Sequence, residues 1–296
     1  AVKLQDLIKN KGVHPSGILI AYEELEDSCP TELSSDKDIV SSYDMNWVSL
    51  FSVKLDALGL RGVSVVDDVC KMLKLDMMSI DLNDPTIYRP LQDLKYPHGL
   101  FQLEADLCFS TTKKVKPKNL LELSAILAVA RPGAMQFIDQ LALFTTTGTK
   151  DDIHPFFSDI LSETGGVCLY QEQMMQMAHK IGFTLDEAEI LRRIVGKKKI
   201  EEVKVWQQKI IDKVQEHKLD PNISDVLWKI LDDSASYSFN KSHSVAYGAL
   251  AALTVYLKFT YPTEFYLSLL RMTNHEPDPI GEIAKIHKEM MHTGLK

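Results

Sequence analysis

The chain has 296 residues, a formal net charge of −8 and 45% hydrophobic residues. This length suffices for one large or two ordinary domains, and the hydrophobic share is enough to build a sizeable core. The charged share of 25%, together with the absence of a low-complexity tract, excludes a wholly disordered chain. A negative total charge weighs against indiscriminate nucleic-acid binding, although it is compatible with a local basic channel.

Cysteine usage and hydropathy indicate the compartment. Since no cysteines have CxxC spacing and no Cys/His cluster has zinc spacing, we expect neither a disulfide framework nor a structural metal. No apolar run reaches the roughly 18 to 20 residues that span a bilayer, and the first residues lack a signal-peptide core. We therefore expect a cytosolic protein that does not enter a membrane. The initial Ala1 in place of Met is typical of a processed product or a fragment.

The N-terminal part of the chain has strand character. "GILIAY" at 17–22 is a short apolar run, and the alternation over 51–56 predicts a second strand. Its polar face carries Ser52, Lys54 and Asp56. Its apolar face consists of Phe51, Val53 and Leu55. After "LGLRG" the pattern changes to helical spacing, and no convincing strand returns.

Successive helices are predicted from about residue 119 onward. The helical segments are "NLLELSAILAVA", "YQEQMMQMAHKIG", "LDEAEILRRIV", "IEEVKVWQQKIIDKVQEH", "ISDVLWKILDDS", "VAYGALAALTVYLKFT" and "PTEFYLSLLRM". Thr184 and Glu187 have capping-box spacing, Gly182 and Gly196 suit helix ends, and Pro262 suits a first turn. "TTTGTKDDIHP" and "NHEPDPIGE" are predicted as the longest connections. We therefore predict a mainly α fold with a small α/β N-terminal part, divided near residue 60.

Positive charge is concentrated in "EAEILRRIVGKKKIEE", residues 187–202. Its cations are Arg192, Arg193, Lys197, Lys198 and Lys199. The simpler interpretation is an ordinary helix end, because cations there are favoured by the helix dipole and Glu189 can pair with Arg193. The alternative is phosphate binding by guanidinium and ammonium groups, in which the side chains must act against the dipole.

A second polar segment, "SYSFNKSHSVAYGAL", precedes an apolar helix and contains Asn240, Lys241, Ser242 and His243. One of its polar side chains is suited to cap the helix. The same helix start is also a natural anion site, to which Lys241 adds charge. Both interpretations are compatible with the sequence alone.

Three further positions have a structural and a functional interpretation. Arg131 follows an apolar helix in "ARPGAMQF", either as a helix-terminal cation or as a side chain aimed into a cleft. Asp56 is either a surface carboxylate paired with its neighbour or a metal ligand, which would need further carboxylates. His14 in "VHPSGILI" lies beside a turn, where a role in loop structure is the simpler interpretation.

Taken in order, these segments resemble the C family of DNA polymerases, which contains the catalytic α subunit of the bacterial replicase, DNA polymerase III. The resemblance rests on "VHPSGILI", "VKLDALGLR", "GLFQLE", "KPKNLLELSAILAVARPGAM", "ETGGVCLYQEQMMQMAHKIGFTLDEAEILRRIVGKKKIEE" and "YSFNKSHSVAYGALAALTVYLKFTYPTEFYLSLL". The last two blocks are long and specific. Because the order is preserved over almost the whole chain, the resemblance favours the functional interpretation of these motifs.

The resemblance implies two domains. Residues 1–60 would be the C-terminal part of a nucleotidyltransferase-type palm, and residues 61–296 would be a helical fingers domain. Asp56 takes the place of the third catalytic carboxylate and would be a metal ligand. The residues implied to bind nucleotide are Arg131, Arg192, Arg193, Asn240, Lys241, Ser242 and His243. The residues implied to bind DNA are His14, Lys54, Lys197, Lys198 and Lys199.

The implied reaction is template-directed addition of deoxynucleotides to a primer 3′-hydroxyl, with two Mg²⁺ ions. Because the family's paired palm aspartates are not found in this sequence, we expect activity only with a second polypeptide or within a longer protein. Primer-template DNA and deoxynucleoside triphosphates are the implied substrates, and the family's clamp-binding region is not found. Ala57 and Ala134 depart from the family pattern, which favours a divergent, phage-encoded or split version in a bacterial cytosol or an infected cell.

A different class of function is also compatible with these motifs. The chain could be a noncatalytic DNA-binding or assembly subunit that keeps the fingers fold and has lost the chemistry. Asp56 distinguishes the two hypotheses, because only the catalytic one requires its carboxylate.

Overall fold

The structure is a computed structural model, and it describes residues 12–14, 16–150, 154–197, 200–235 and 237–295. The chain folds into two compact units, Ala1–Arg61 and Gly62–Lys296.

The N-terminal unit contains two small antiparallel sheets. Strand β1 (Gly17–Ile20) pairs with β4 (Val53–Asp56), in the register that sets Gly17 opposite Asp56. Strands β2 (Thr31–Leu33) and β3 (Ile39–Ser41) form the other hairpin. The short helices α1 (Leu25–Ser28) and α2 (Met45–Val48) lie between the strands in sequence.

One face of the β1/β4 sheet is apolar and exposed. Ile18 lies opposite Leu55 and Ile20 lies opposite Val53, and each of these side chains is more than half exposed. The predicted alternation is therefore present, but its apolar face is not covered by the described residues. Among the described apolar residues of this unit, only Cys29 and Val48 are buried.

The C-terminal unit is helical. Its α-helices are α3 (Arg61–Leu73), α4 (Asp106–Val115), α5 (Leu120–Val129), α6 (Ile138–Thr147), α7 (Ser158–Leu161), α8 (Gln171–Lys180), α9 (Leu185–Lys197), α10 (Ile200–Glu216), α11 (Asn222–Ser234), α12 (Lys241–Thr260), α13 (Pro262–Met272) and α14 (Pro279–Thr293). Short 3-10 helices occupy Met77–Ser79, Pro85–Asp93, Met135–Phe137, Pro155–Phe157, Ser162–Thr164 and Thr273–His275. This content confirms the predicted fold class of a mainly α protein with a small α/β N-terminal part.

Helix α12 runs through the centre of this helical body. Its buried residues contribute to a core shared with α4, α5 and α6 and to a second core shared with α3, α13 and α14. A third core joins α8 to α11. Gly248 lets α12 approach α5 closely, because a β-carbon at this position would collide with the Ser124 side chain.

A buried ion pair lies near the C-terminal end of α12. The Lys258 ammonium donates to the carbonyl oxygens of Tyr96 and His98 at 2.6 and 2.8 Å, and to Glu289 Oε1 at 2.5 Å. The Tyr266 hydroxyl donates to the same carboxylate oxygen at 2.7 Å. Burial lowers the pKa of Lys258, and the negative charge of Glu289 opposes that shift. Every donor position of this ammonium is thus occupied within the protein.

The predicted helix blocks are confirmed, but several boundaries differ. The prediction that a helix stops at Gly196 is wrong, because α9 continues through Gly196 to Lys197. Helix α12 starts at Lys241, so that Asn240 of the FNKSH segment is its N-cap and Lys241 to His243 lie in its first turn. The prediction of a connection through "NHEPDPIGE" is wrong at its end, where α14 begins at Pro279. No helix within the described ranges is long and apolar enough to span a bilayer.

Candidate nucleotide-binding site

The predicted catalytic carboxylate, Asp56, lies at the end of β4 with a basic side chain on each side of it. The Lys54 ammonium is 2.9 Å from Asp56 Oδ1, and His14 Nδ1 is 3.8 Å from the same oxygen. The strand register brings this constellation together, because Lys54 and Asp56 share one face of the sheet and Gly17, three residues after His14, lies opposite Asp56. The structure thus places three predicted site residues within reach of one another.

A single carboxylate does not make a metal site. No group of three or more Asp, Glu, His or Cys side chains among the described residues could hold a metal ion. Magnesium in phosphoryl transfer is held by more than one carboxylate plus phosphate oxygens. Asp56 can therefore serve as one ligand of a shared site, and the described residues do not complete that site.

The segment before α12 is held in place by contacts from distant parts of the chain. The N–H of Phe239 donates to the carbonyl of Leu169, and the N–H of Gln171 donates to the carbonyl of Phe239, both at 2.9 Å. These bonds form a parallel bridge between Tyr170 and Phe239. The bridge joins the "YQEQ" and "FNKSH" motifs, which no spacing rule connects.

Arg131 supports the same segment. Its guanidinium lies 3.9 Å from the ring centroid of Phe239, and Nη2 donates to the carbonyl of Tyr237 at 2.8 Å. The side chain also donates to the carbonyl of Ala128, and burial lowers the pKa of Arg131. These contacts give Arg131 a positioning role, and its predicted contact with nucleotide stays a prediction.

The first turn of α12 has the geometry expected of a capped helix start. The Asn240 side chain accepts from the N–H of His243 at 2.8 Å and from the Ser242 hydroxyl at 2.7 Å. The His243 ring lies 4.2 Å from the ring centroid of Tyr247. The capping interpretation is therefore confirmed for Asn240, and it leaves Ser242 and His243 exposed beside the helix start.

Lys241 is engaged by two carboxylates. Its ammonium lies 2.7 Å from both carboxylate oxygens of Glu163. Its backbone N–H donates to Glu172 Oε2 at 2.9 Å. The Lys241 and Glu163 side chains are 30% and 31% exposed, so solvent and ligands can reach this pair.

The arginines of α9 share a single carboxylate. Glu189 accepts from Nε and Nη2 of Arg192 and from Nε of Arg193, each at 2.7 Å. The hydrogen bond from Arg192 is the main reason that the pKa of Glu189 falls to about 2. The pKa of Arg192 is raised first by this hydrogen bond and further by the charges of Glu189 and Glu172. The charge of Glu172 thus acts on Arg192, and its carboxylate accepts the N–H of Lys241.

The remaining basic residues of this stretch are less informative. Lys198 and Lys199 lie outside the described residues, and the side chain of Lys197 is likewise not described. Glu163 and Glu172 were not predicted as site residues. Their only signal in the sequence is their position inside the "ETGGVCLYQEQ" block, because their partner Lys241 lies 78 and 69 residues further along the chain.

Comparison with known proteins identifies the family. The family model described as the bacterial DNA polymerase III alpha subunit finger domain matches residues 63–218, and the one described as the NTPase domain of the same subunit matches residues 1–59. Both models describe domains of the same DNA polymerase subunit. It belongs to the bacterial DNA polymerase III α subunit family.

Individual relatives agree with the family models. The chain is 32% identical to DNA polymerase III subunit alpha of Thermus aquaticus over 96% of its own length, and 33% identical to those of Aquifex aeolicus and Campylobacter jejuni over 94% and 99%. It spans about a quarter of the length of these relatives, which is 24% for Thermus and 25% for the other two.

Proposed function

We propose that this chain is the palm-end and fingers portion of a template-directed DNA polymerase, with residues 1–60 as the end of the palm and 61–296 as the fingers. Its role is to bind the triphosphate of an incoming deoxynucleotide and to supply Asp56 for addition of that nucleotide to a primer 3′-hydroxyl. The observation that carries the proposal is the hydrogen bond from the N–H of Lys241 to Glu172, the carboxylate whose charge also raises the pKa of Arg192.

The three cations suit a triphosphate chemically. Arginine forks form paired hydrogen bonds with phosphate oxygens, and the lysine ammonium acts as a compact charge. The start of α12 adds backbone donors and the positive end of its dipole. Ser242 and His243 are exposed beside these donors and can contact the same ligand. Base selection would come from pairing with the template, since these groups recognise phosphate.

Asp56 would act together with carboxylates carried by another polypeptide or by another part of a longer protein. Two Mg²⁺ ions held in such a shared site would activate the primer hydroxyl and offset the charge on the leaving oxygens. Lys54 and His14, which flank Asp56, would bind DNA phosphates. The cytoplasm is the expected location, by analogy with the bacterial relatives.

The exposed apolar face of the β1/β4 sheet supports the proposal that further polypeptide is needed. Four large apolar side chains on one sheet face are unusual for a face that meets only water. We therefore expect purified 1–296 to show no primer extension with Mg²⁺ and all four nucleotides. Extension by this chain alone would refute the need for a partner.

The catalytic role is tested by Asp56→Ala in the polymerase reconstituted with a chain that carries the paired aspartates. Primer extension should fall to background, while DNA binding, measured by fluorescence anisotropy, should change little. Asp36→Asn provides a control, because it removes an exposed carboxylate of the same unit that lies in the turn between β2 and β3. Retention of activity by Asp56→Ala would favour the noncatalytic DNA-binding or assembly function.

The binding role is tested by Lys241→Gln and Arg192→Gln. Each should weaken binding of a Mg²⁺-deoxynucleoside triphosphate to the chain in isothermal titration calorimetry. Unchanged affinity in both variants would contradict the proposed triphosphate site.

A further inference from the structure

Every cation proposed to bind the triphosphate already has a carboxylate partner within the described residues. Glu189 binds Arg192 and Arg193, and Glu163 binds Lys241 through both oxygens. A carboxylate presents two negatively charged oxygens to an arginine or lysine, in the same manner as a phosphate. The carboxylates therefore occupy the donor positions that a phosphate would need.

The backbone donor at the start of α12 also has a carboxylate as its acceptor. The N–H of Lys241 is the first helical donor of α12, and a bound anion would be expected there. Its acceptor is Glu172 Oε2 at 2.9 Å, on the first turn of α8. A third carboxylate thus lies where the backbone would meet a phosphate.

Because these ion pairs are partly exposed, phosphate groups can replace the carboxylates as partners of the cations. The side chains of Glu163, Lys241 and Glu189 are each about one third exposed, at 31%, 30% and 29%. An ion pair in such a setting contributes little to stability, so its loss is readily offset by a new ligand. The Lys258–Glu289 pair is different, because its side chains are only 2% and 8% exposed.

We propose that Glu163, Glu172 and Glu189 are resident counter-anions that the triphosphate displaces when it binds. They hold the cations in place in the unliganded protein, and they compete with the phosphates for the same donors. They therefore lower the affinity for nucleotide and favour release of pyrophosphate. This inference rests on the proposed triphosphate site.

Glu163→Gln gives the direct test, because it keeps the shape of the side chain and removes the charge that holds Lys241. The affinity of the 1–296 chain is measured by calorimetry for a Mg²⁺-deoxynucleoside triphosphate and for inorganic tripolyphosphate. We expect about two- to fivefold tighter binding of both ligands, the factor associated with releasing a partly exposed ion pair. Asp139→Asn, which frees Lys114 from an exposed pair of 2.8 Å, is the matched control and should leave both affinities unchanged.

A double-mutant cycle measures the contribution of the Glu163–Lys241 pair to the affinity for both ligands. Glu163→Gln in a Lys241→Gln background should give no gain, because the cation that the carboxylate holds is gone. If Glu163→Gln binds both ligands equally or more weakly while Lys241→Gln still weakens binding, the competition is refuted and the triphosphate site stands. If neither Lys241→Gln nor Arg192→Gln weakens binding, the triphosphate site itself is refuted.

Discussion

The two ends of α12 carry lysines with opposite surroundings. Lys241, in the first turn, lies about one third exposed beside Glu163, whereas Lys258, in the last turn, is buried with Glu289 and two backbone carbonyls. The buried lysine has all of its donors satisfied by fixed groups, while the exposed one is held by a carboxylate that solvent can replace. Helix α12 therefore has a C-terminal end fixed by a buried ion pair and an N-terminal end whose ion pair solvent or a ligand can replace.

The largest effect on the free energy of unfolding is expected at the C-terminal end of α12. Lys258→Met should lower the free energy of unfolding by about 3 to 5 kcal/mol, because it leaves Glu289 buried without its counter-charge. Urea unfolding followed by circular dichroism measures the change. The double variant Lys258→Met/Glu289→Gln should recover part of the loss, and a loss below about 1 kcal/mol in the single variant would contradict the buried role of this pair.

The middle of the helix gives the next largest effect. Gly248→Ala should destabilise the protein by about 1 to 3 kcal/mol, because the new methyl group meets the Ser124 side chain where α12 crosses α5. Thermal and urea unfolding report the change. Gly196→Ala is the matched control. Gly196 lies within α9 with no atom within 4 Å of the added carbon, so the same substitution should stabilise by about 0.5 to 1 kcal/mol. Equal signs for the two variants would count against the close helix crossing.

A smaller effect on stability is expected at the N-terminal end of α12. Lys241→Met should change the free energy of unfolding by less than about 1 kcal/mol, because Glu163 and the lysine are both partly exposed. The same urea titration as for Lys258→Met provides the comparison. A loss as large as that of Lys258→Met would show that the two ends of α12 are both structural anchors.

The last effect concerns acid stability and develops only as the pH is lowered. Arg192, and to a smaller extent Arg193, lower the pKa of Glu189 from 4.5 to about 2 in the folded chain. These ion pairs therefore contribute stability above pH 4.5 that is lost as the pH falls toward 2. Glu189→Gln should remove that dependence. The difference in unfolding free energy between wild type and variant should therefore shrink as the pH is lowered through this window. A constant difference from pH 6 to about pH 3 would contradict the coupling.

Much of the helical body could be predicted from the sequence, because long amphipathic segments carry a clear period. The Thr184–Glu187 capping box is present, with hydrogen bonds of 2.9 and 3.2 Å in both directions. Strands β2 and β3 were missed because three residues are too few to show an alternation. Gly196 was interpreted as a helix end, but it keeps the helical conformation within α9.

The candidate site could be predicted only in its basic half. Arg192, Arg193 and Lys241 lie in recognisable motifs, whereas their acidic partners follow from the tertiary fold. Glu189 alone has helical spacing to the arginines that it binds, at three and four positions. Arg131 was interpreted either as a helix-terminal cation or as a side chain aimed into a cleft. Its contact with the carbonyl of Tyr237 spans 106 positions, and no local rule relates residues so far apart.

The parallel bridge between Tyr170 and Phe239 has a consequence for how the protein folds. It closes a loop that contains α8 to α11, and the entropy of loop closure must be lost before the bridge can form. Contacts between such distant positions form slowly compared with helices. The bonds of Leu169 and Gln171 to Phe239 should therefore form after the helices that flank them. If the proposed triphosphate site lies at the start of α12, recovery of nucleotide binding during refolding should lag behind recovery of the helical circular dichroism signal.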